Sequence, residues 1–312
     1  MSGPRFEPEP FLAAAHSMDV GEVRPNEPMA RHTTLHVGGA ADVMVVPTRL
    51  AQVERLIELC LRFDTPLTVL GRGSNLLVRD SGLPGVALLT ERLGVLGIED
   101  QAIEAWAGVT LGGLANRSAR AGLTGLEWCA GIPGSVGGGV FMNAGAHGGQ
   151  MADHVRRVAF LPLAGPMPAP AAEPTLIDAA DCGFAYRTSR FQREPGVILW
   201  AELGAEHGDA QEARERLRRF REQRKATQPL SWPNCGSVFR NPQGGSAGRL
   251  VEAAGGKGHR IGYAGISDVH GNFIVNYGGA RAEDVLALIE WAQEAVYRHS
   301  GVVLETEVRV LP

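Results

Sequence analysis

The spacing of apolar residues in the first third of the chain predicts strands that alternate with a helix. Residues 41–47 (ADVMVVP) form a continuous apolar run that ends at a proline, which is typical of a buried strand. Residues 49–63 repeat leucine, valine and isoleucine at helical spacing, and PLTVLG (66–71) then predicts a second short strand. The glycine-containing segment 71–82 follows directly. This order of elements indicates a small parallel unit with a ligand at the carboxyl end of its strands.

Similar patterns predict a second lobe that begins near residue 86. Short apolar runs there indicate strands, a helix is predicted over 110–121, and further strands are predicted at 155–163 and 196–203. The Pro/Ala-rich segment 163–175 is predicted to be an exposed excursion. A last lobe over 234–312 is predicted to contain the strand GNFIVNYG, a helix from Ala282 to His299 and a closing strand VVLETEVRVL.

The sequence of residues 209–226 gives the clearest helix prediction in the chain. Its acids and bases alternate, with Glu212 and Arg216 at the favourable i,i+4 spacing. The basic residues could hold a phosphate, but the interleaved acids favour a solvated helix face.

Composition and charge narrow the class of protein. The chain has 312 residues, of which 44% are hydrophobic, enough for two or three compact lobes. A net charge of −4 argues against a general binder of nucleic acids or membrane surfaces. The four cysteines are scattered, so neither a disulfide framework nor a zinc site is expected. With no secretory signal and no apolar span, we expect a cytoplasmic protein without bound metal.

The segment 131–149 (GIPGSVGGGVFMNAGAHGG) is the most informative stretch of the chain. Eight of its residues are glycine, and such a run can direct several backbone N–H groups at an anion. A mobile surface loop is the alternative, although the apolar residues within the run disfavour it. The loop at 71–75 is a second candidate cradle, and neither loop matches the phosphate-binding motifs of Walker or Rossmann proteins. Two cradles in two lobes would suit a dinucleotide that lies along the cleft between them.

Polar residues outside the glycine loops are further candidates, each with an ordinary alternative. Arg187, beside aromatic residues, could bind a carboxylate or form a structural ion pair. Ser237 could be reactive or could only cap a turn, and Lys257 could meet a phosphate or be a turn lysine. Strand alternation would place Glu305 and Glu307 on one face, where either acid could reach a cleft or simply be solvated.

Six motifs in order decide among these alternatives: GRGSN, GLEWCAGIPGSVGG–NAG, YRTSRF, NCGSVFRNP, GGKGHRIG and LETEVR. Together they resemble the UDP-N-acetylenolpyruvoylglucosamine reductase (MurB) family over roughly residues 26–311, in the subclass with a short segment between the YR and GSVF motifs. The resemblance implies an α+β fold with a two-lobed FAD-binding domain of the vanillyl-alcohol-oxidase (PCMH) type and a C-terminal α+β substrate-binding domain.

We predict the following domain plan from these motifs and patterns. It consists of an N-terminal extension (1–25), an FAD-binding domain (26–208, with lobes at about 26–85 and 86–208), a connecting helix (209–228) and a C-terminal substrate-binding domain (229–312).

The resemblance also implies site residues. The expected catalytic residues are Arg187, Ser237 and Glu307, and Arg187, Asn241 and Lys257 are expected to bind substrate. The expected FAD-binding residues come from both glycine loops: Gly71, Arg72, Gly73, Ser74, Asn75, Leu76, Gly131, Ile132, Pro133, Gly134, Ser135, Gly137, Gly138, Asn143, Ala144 and Gly145.

The implied reaction is the NADPH-dependent reduction of UDP-N-acetylglucosamine enolpyruvate to UDP-N-acetylmuramate, a peptidoglycan precursor. Hydride passes from flavin N5 to C3 of the enol, Ser237 gives a proton to C2, and Arg187 stabilises charge on the carboxylate. Glu307 acts as or through an acid near that carboxylate. No protein partner is expected. The alternatives are another FAD-dependent oxidoreductase acting on a small alcohol or sugar, and a non-catalytic nucleotide-binding module.

Overall fold

A computed structural model of the chain describes residues 8–163 and 174–312. Most of the predicted excursion at 163–175 therefore lies outside the described residues. The helices are α1 (Pro8–Met18), α2 (Leu50–Arg62), α3 (Leu111–Arg120), α4 (Val136–Met142), α5 (Ala210–Thr227), α6 (Ala247–Ala253) and α7 (Ala282–Ser300).

The strands of the described residues are mostly short. They are β1 (Glu22–Pro28), β2 (Ala40–Val46), β3 (Leu67–Leu70), β4 (Leu76–Val78), β5 (Leu83–Leu89), β6 (Leu96–Glu99), β7 (Ala102–Trp106), β8 (Leu123–Thr124), β9 (Gly145–Ala146), β10 (Gly149–Gln150), β11 (Val155–Pro162), β12 (Thr175–Asp178), β13 (Gly196–Gly204), β14 (Glu206–His207), β15 (Arg260–Ile261), β16 (Ala264–Ile266), β17 (Ile274–Asn276) and β18 (Arg309–Leu311).

The described residues form two compact units, and neither is contiguous in sequence. Unit 1 contains residues 8–25, 42–72 and 85–222, and unit 2 contains residues 26–41, 73–84 and 223–312. This division differs from the contiguous plan expected from the sequence. Residues 26–41 and 73–84 belong with the C-terminal part because Leu35, Val37 and Leu77 lie in its hydrophobic core.

The first sheet of unit 1 has the strand order β1-β2-β5-β3, with β3 and β5 parallel. The strands and helix expected at 41–47, 49–63 and 66–71 are confirmed as β2, α2 and β3. The expected lobe boundary at residues 85–86 is wrong, because β5 runs across it and pairs with β3. The sequence suggested a boundary there because β5 starts in a Gly/Pro-containing segment, although nearly all of its residues are buried.

The second sheet of unit 1 has the strand order β12-β11-β13-β7-β6 and is antiparallel throughout. Residues 158–161 of β11 are buried on both faces of this sheet. Val158 and Phe160 on β11 pack into a core with α3 and α4, while Ala159 and Leu161 pack against α2 and the first sheet. Because successive side chains of a strand point to opposite faces of the sheet, β11 contributes residues to two hydrophobic cores.

The N-terminal helix α1 is part of unit 1, which corrects the expected frayed extension for residues 8–25. Phe11 is fully buried and its ring meets that of Phe63 edge to face, with ring centroids 5.8 Å apart. Ala15 and Val20 are also buried. The helix α1 was not predicted because the N-terminal segment is rich in Pro and Glu and only a few apolar residues pack the helix against the core.

Helix α5 confirms the helix predicted at 209–226, but its polar side chains are not all solvated. Arg216 donates from Nε and Nη2 to Glu127 Oε1, at 3.1 and 2.7 Å, and the Glu127 side chain is only 7% exposed. Ala213 and Leu217 pack into the core of unit 1. The helix is therefore held by a buried ion pair as well as by apolar contacts.

Unit 2 has one hydrophobic core, to which the antiparallel sheet β15-β16-β17 and helices α6 and α7 contribute. The parallel pair β4 and β18 joins residue 76 to residue 309. The predicted helix at 282–299 is confirmed as α7. The closing strand predicted at 302–311 is wrong in its extent, since only Arg309–Leu311 forms a strand.

The four cysteines are buried and free. Burial raises the pKa of the Cys60 and Cys235 thiols to about 12 and that of Cys182 to about 11. These thiols therefore stay protonated near neutral pH and pack as apolar groups. No helix within the described residues is long and apolar enough to cross a membrane.

The burial of Phe11 gives a test of the N-terminal helix. Phe11→Ala removes a ring from the core, so we expect a loss of about 3–5 kcal/mol of unfolding free energy. The exposed Glu9→Ala on the same helix should change it by less than about 0.5 kcal/mol. Thermal and urea unfolding measure both, and equal stabilities would contradict the packed helix.

Candidate functional site

The glycine run at 131–149 is not a mobile loop. Residues 136–142 form α4, Asn143 ends this helix with a left-handed backbone (φ 44°), and β9 and β10 follow as a hairpin. The N–H groups of Val136 and Gly137 donate to the carbonyls of Val109 and Ala107. A Cβ on Gly137 would lie only 2.8 Å from the Ala107 Cβ. Gly137 is therefore required for helix packing, and its amide is engaged inside the protein rather than directed at an anion.

Ser135, immediately before α4, is the polar group that the run leaves available. Its side chain is buried, and within the described residues its Oγ has no hydrogen-bond partner. Gly71, just after β3, approaches this hydroxyl so closely that a Cβ there would lie 2.9 Å from Oγ. The two glycine loops thus meet in unit 1 through Gly71 and Ser135. A buried hydroxyl is costly without a partner, which makes this pair a candidate ligand cradle.

Asn143 and Ala144 form hydrogen bonds that support the hairpin after α4. Asn143 Nδ2 donates to Gln150 Oε1 (3.1 Å) and Ala185 O (2.9 Å), and its Oδ1 accepts from Ala152 N (2.9 Å). Ala144 N–H donates to Gly139 O. The predicted cofactor residues Asn143 and Ala144 are therefore engaged in structural hydrogen bonds.

Arg187 lies in a tight turn in which Ala185 and Thr188 exchange backbone hydrogen bonds. Its backbone is left-handed (φ 55°), an uncommon conformation for a residue with a side chain. Its Nη2 donates to Gly145 O at 3.0 Å, and the guanidinium carbon lies 5.2 Å from the centroid of the Tyr186 ring. Such strain is characteristic of functional positions, and it fixes this cation beside the hairpin.

In unit 2 the segment that follows Ser237 pairs antiparallel with the segment that contains Glu307. Glu307 N–H donates to Val238 O (2.7 Å), and Arg240 N–H donates to Glu305 O (2.9 Å). Ser237 is half-buried and follows Gly236, whose left-handed backbone (φ 75°) turns the chain into this segment. Arg187, the third predicted catalytic residue, belongs to unit 1.

The two candidate acids differ in exposure. The Glu305 side chain is 76% exposed and lies 3.9 Å from Arg240 Nη1, whereas Glu307 is half-buried. The alternation predicted for 302–311 is wrong, since Val308 is buried and Val310 is exposed. The physical reason is that this segment pairs with residues 238–240 through one isolated bridge and joins a ladder only from Arg309.

The predicted substrate-binding residues in unit 2 have partners of their own. Asn241 Oδ1 accepts from Ala247 N at the start of α6 (3.0 Å). Lys257 Nζ donates to Glu252 Oε1 at 2.8 Å, as expected of an ordinary turn lysine. The pKa of His270 is lowered, mainly by burial and to a smaller extent by the positive charge of Lys257.

Asn272 is a residue beside the candidate site that the sequence did not reveal. Its Oδ1 accepts from Phe239 N and its Nδ2 donates to Phe239 O, both at 2.8 Å, while its own carbonyl accepts from Val238 N. The amide thereby acts as a strand partner for the segment after Ser237. An asparagine at the start of the apolar run NFIVN was the available signal, because buried polar residues usually have a specific partner.

Comparison with known proteins agrees with this architecture. One family model, FAD binding domain, matches residues 41–165, and another, UDP-N-acetylenolpyruvoylglucosamine reductase C-terminal domain, matches residues 228–311. UDP-N-acetylenolpyruvoylglucosamine reductases of Bacillus velezensis and Bacillus subtilis are 42% and 43% identical over 305 residues, which cover 97% of this chain and 98% of each relative.

A solved structure is similar over nearly the same length. The crystal structure of UDP-N-acetylenolpyruvylglucosamine reductase (MurB) from Thermus caldophilus matches with a TM-score of 0.77 at 36% identity, covering 93% of this chain and 98% of that one. The fold and the matched domains define an α+β flavoprotein whose cofactor is FAD. The chain belongs to the UDP-N-acetylenolpyruvoylglucosamine reductase family, as the resemblance of its motifs predicted.

The hydrogen bonds of Asn143 give a prediction that separates structure from cofactor binding. Asn143→Ala should lower the unfolding free energy by about 2–4 kcal/mol, because it removes the three hydrogen bonds of a buried side chain and places an alkyl residue at φ 44°. Asn143→Gly loses the same bonds without the backbone strain, so it should be less destabilising. Chemical denaturation measures both. A stable Asn143→Ala protein that has lost only FAD would contradict the structural role.

Proposed function

We propose that this protein reduces UDP-N-acetylglucosamine enolpyruvate to UDP-N-acetylmuramate, with electrons from NADPH, as a step in the synthesis of peptidoglycan precursors. The observation that supports the proposal is the antiparallel pairing between the segment that follows Ser237 and the segment that contains Glu307, in the region matched by the reductase C-terminal domain. Family membership over the whole chain supports the same activity. A cytoplasmic location remains a prediction from the sequence.

We propose Ser135 and the Gly71 loop as part of the FAD site. The buried Ser135 hydroxyl fits a phosphate oxygen, which would accept its hydrogen bond, and Gly71 leaves room beside it. The other predicted FAD-binding residues remain proposals, with Gly137, Asn143 and Ala144 the weakest because their polar groups are engaged within the protein. When bound and reduced by NADPH, the flavin would supply the hydride that reaches C3 of the substrate.

The chain's own residues would handle the proton and the charge. Ser237 follows the left-handed Gly236, and in the proposal its hydroxyl gives a proton to C2 of the substrate. Arg187 binds the substrate carboxylate, where negative charge develops during the reaction, and Glu307 orients or protonates that group. A hydroxyl is a weak acid, but the carbon that it protonates is strongly basic once hydride has been added. In this proposal Asn241 and Lys257 hold the rest of the substrate.

The two half-reactions test the role of Ser237. Ser237→Ala should leave NADPH-driven bleaching of the flavin unchanged and slow flavin reoxidation by the enolpyruvyl substrate about 100-fold or more. Ser267→Ala, which removes another buried hydroxyl of unit 2, is the matched control and should reoxidise normally. Stopped-flow absorbance measures both steps. Reoxidation of Ser237→Ala at the normal rate would exclude the serine as proton donor.

Affinity for FAD tests the cradle. Gly71→Ala places a Cβ against Ser135 Oγ, so we expect the dissociation constant of FAD to rise at least about tenfold, equivalent to about 1.4 kcal/mol. Gly97→Ala, where a Cβ meets no atom within 4 Å, is the control. Flavin fluorescence titration of the apoprotein measures both constants. Equal affinities in the two variants would remove Gly71 from the site.

A further inference from the structure

Asn75 makes a contact that its predicted role in FAD binding does not explain. Its Nδ2 donates to the backbone carbonyl of Glu307 at 3.0 Å, and its own carbonyl accepts from Arg309 N, also at 3.0 Å. All three residues belong to unit 2, where β4 and β18 run parallel directly after these bonds. The side chain of Asn75 is therefore directed at the backbone of the predicted catalytic acid.

The Glu307 backbone needs such a partner because it lies outside regular structure. Its N–H donates to Val238 O, its carbonyl accepts from Asn75 Nδ2, and the strand β18 begins only at Arg309. Val238 on one side and Asn75 on the other fix both polar groups of this residue. The direction in which the Glu307 side chain leaves the backbone depends on both bonds.

The chemistry of the contact requires an amide. A carbonyl oxygen only accepts hydrogen bonds, so its partner must donate, and the Asn Nδ2 does so over a short side chain. An aspartate has the same shape but would place an oxygen against the Glu307 carbonyl. We infer that Asn75 is a positioning residue that holds Glu307 in its reactive orientation, an inference that rests on the role of Glu307 in the proposed function.

A second anchor of the same segment provides a matched control. Asp80 Oδ1 accepts from Ala282 N and its Oδ2 from Glu283 N, which attaches the far end of residues 73–84 to the start of α7. Asp80→Ala therefore loosens this segment without removing the contact with Glu307. If the loss of Asn75 merely disordered the segment, both variants would behave alike.

A double-mutant cycle on the FAD-loaded enzyme tests the inference. At saturating FAD, Asn75→Ala should slow flavin reoxidation by the enolpyruvyl substrate roughly tenfold to a hundredfold, while reduction by NADPH remains normal. In a Glu307→Gln background, the same substitution should slow reoxidation by less than about twofold further, since its effect passes through the carboxylate. Asp80→Ala should reoxidise at the normal rate. Asn75→Asp, which keeps the side-chain volume, should behave like Asn75→Ala and covers the case in which alanine impairs folding.

Three results would overturn the inference. The first is an equal slowing by Asn75→Ala with and without Glu307→Gln, and the second is an equal slowing by Asp80→Ala. The third is loss of bound FAD with normal reoxidation once FAD is saturating, which would make Asn75 a cofactor residue only. These outcomes leave the proposed function intact, whereas a Glu307→Gln enzyme with normal reoxidation would overturn both the role of Glu307 and the inference.

Discussion

The parallel pairing of β4 with β18 is the constraint on which the rest of unit 2 depends. It joins a short strand from the first third of the chain to the last residues, and Asn75 and Glu307 meet beside it across 232 positions of sequence. Leu77, at the centre of β4, is fully buried in the core of unit 2. Because this pairing is so non-local, it costs loop-closure entropy and cannot form before the end of the chain has been synthesised. The backbone around Glu307 therefore depends on contacts between residues far apart in sequence.

The same constraint explains why the first glycine loop is divided between the two units. Gly71 belongs to unit 1, where it approaches Ser135, while Asn75 belongs to unit 2, where it contacts Glu307. In the loop 71–75, the first residue thus contributes to the proposed cofactor cradle and the last residue contacts the proposed catalytic segment. Substitutions in this loop have to be interpreted by position, because neighbouring residues serve different steps of the reaction.

The sequence predicted the regular elements well where they carry long apolar patterns. Helices α2, α5 and α7 and strands β2, β11 and β13 follow directly from periodicity, and the ordered motifs identified the family. The errors lie where partners distant in sequence decide the outcome. Nothing local shows that β5 pairs with β3 across an expected boundary or that residues 73–84 join the C-terminal core.

The site shows the same limit. Ser237 and Glu307 could be proposed from motifs, and the structure places them on paired segments. The glycines of α4 were expected to expose amides, but Gly137 is there because the neighbouring strand leaves no room for a Cβ. A glycine can be required for an unusual backbone conformation or because a neighbouring group leaves no room for a Cβ. Only the three-dimensional packing distinguishes these two reasons.

Asparagine amides replace regular ladders around the residues assigned to the chemistry. Asn272 acts as a strand partner for Phe239, and Asn75 pairs with Glu307. Asn143 connects the end of α4 to the turn that contains Arg187. A side-chain amide can donate and accept, so it can satisfy backbone groups that a regular sheet would otherwise pair. Residues in such irregular segments are free of the strict alternation of a strand. A serine, an acid and an arginine can then be aimed individually, while the buried backbone keeps the hydrogen bonds that it needs.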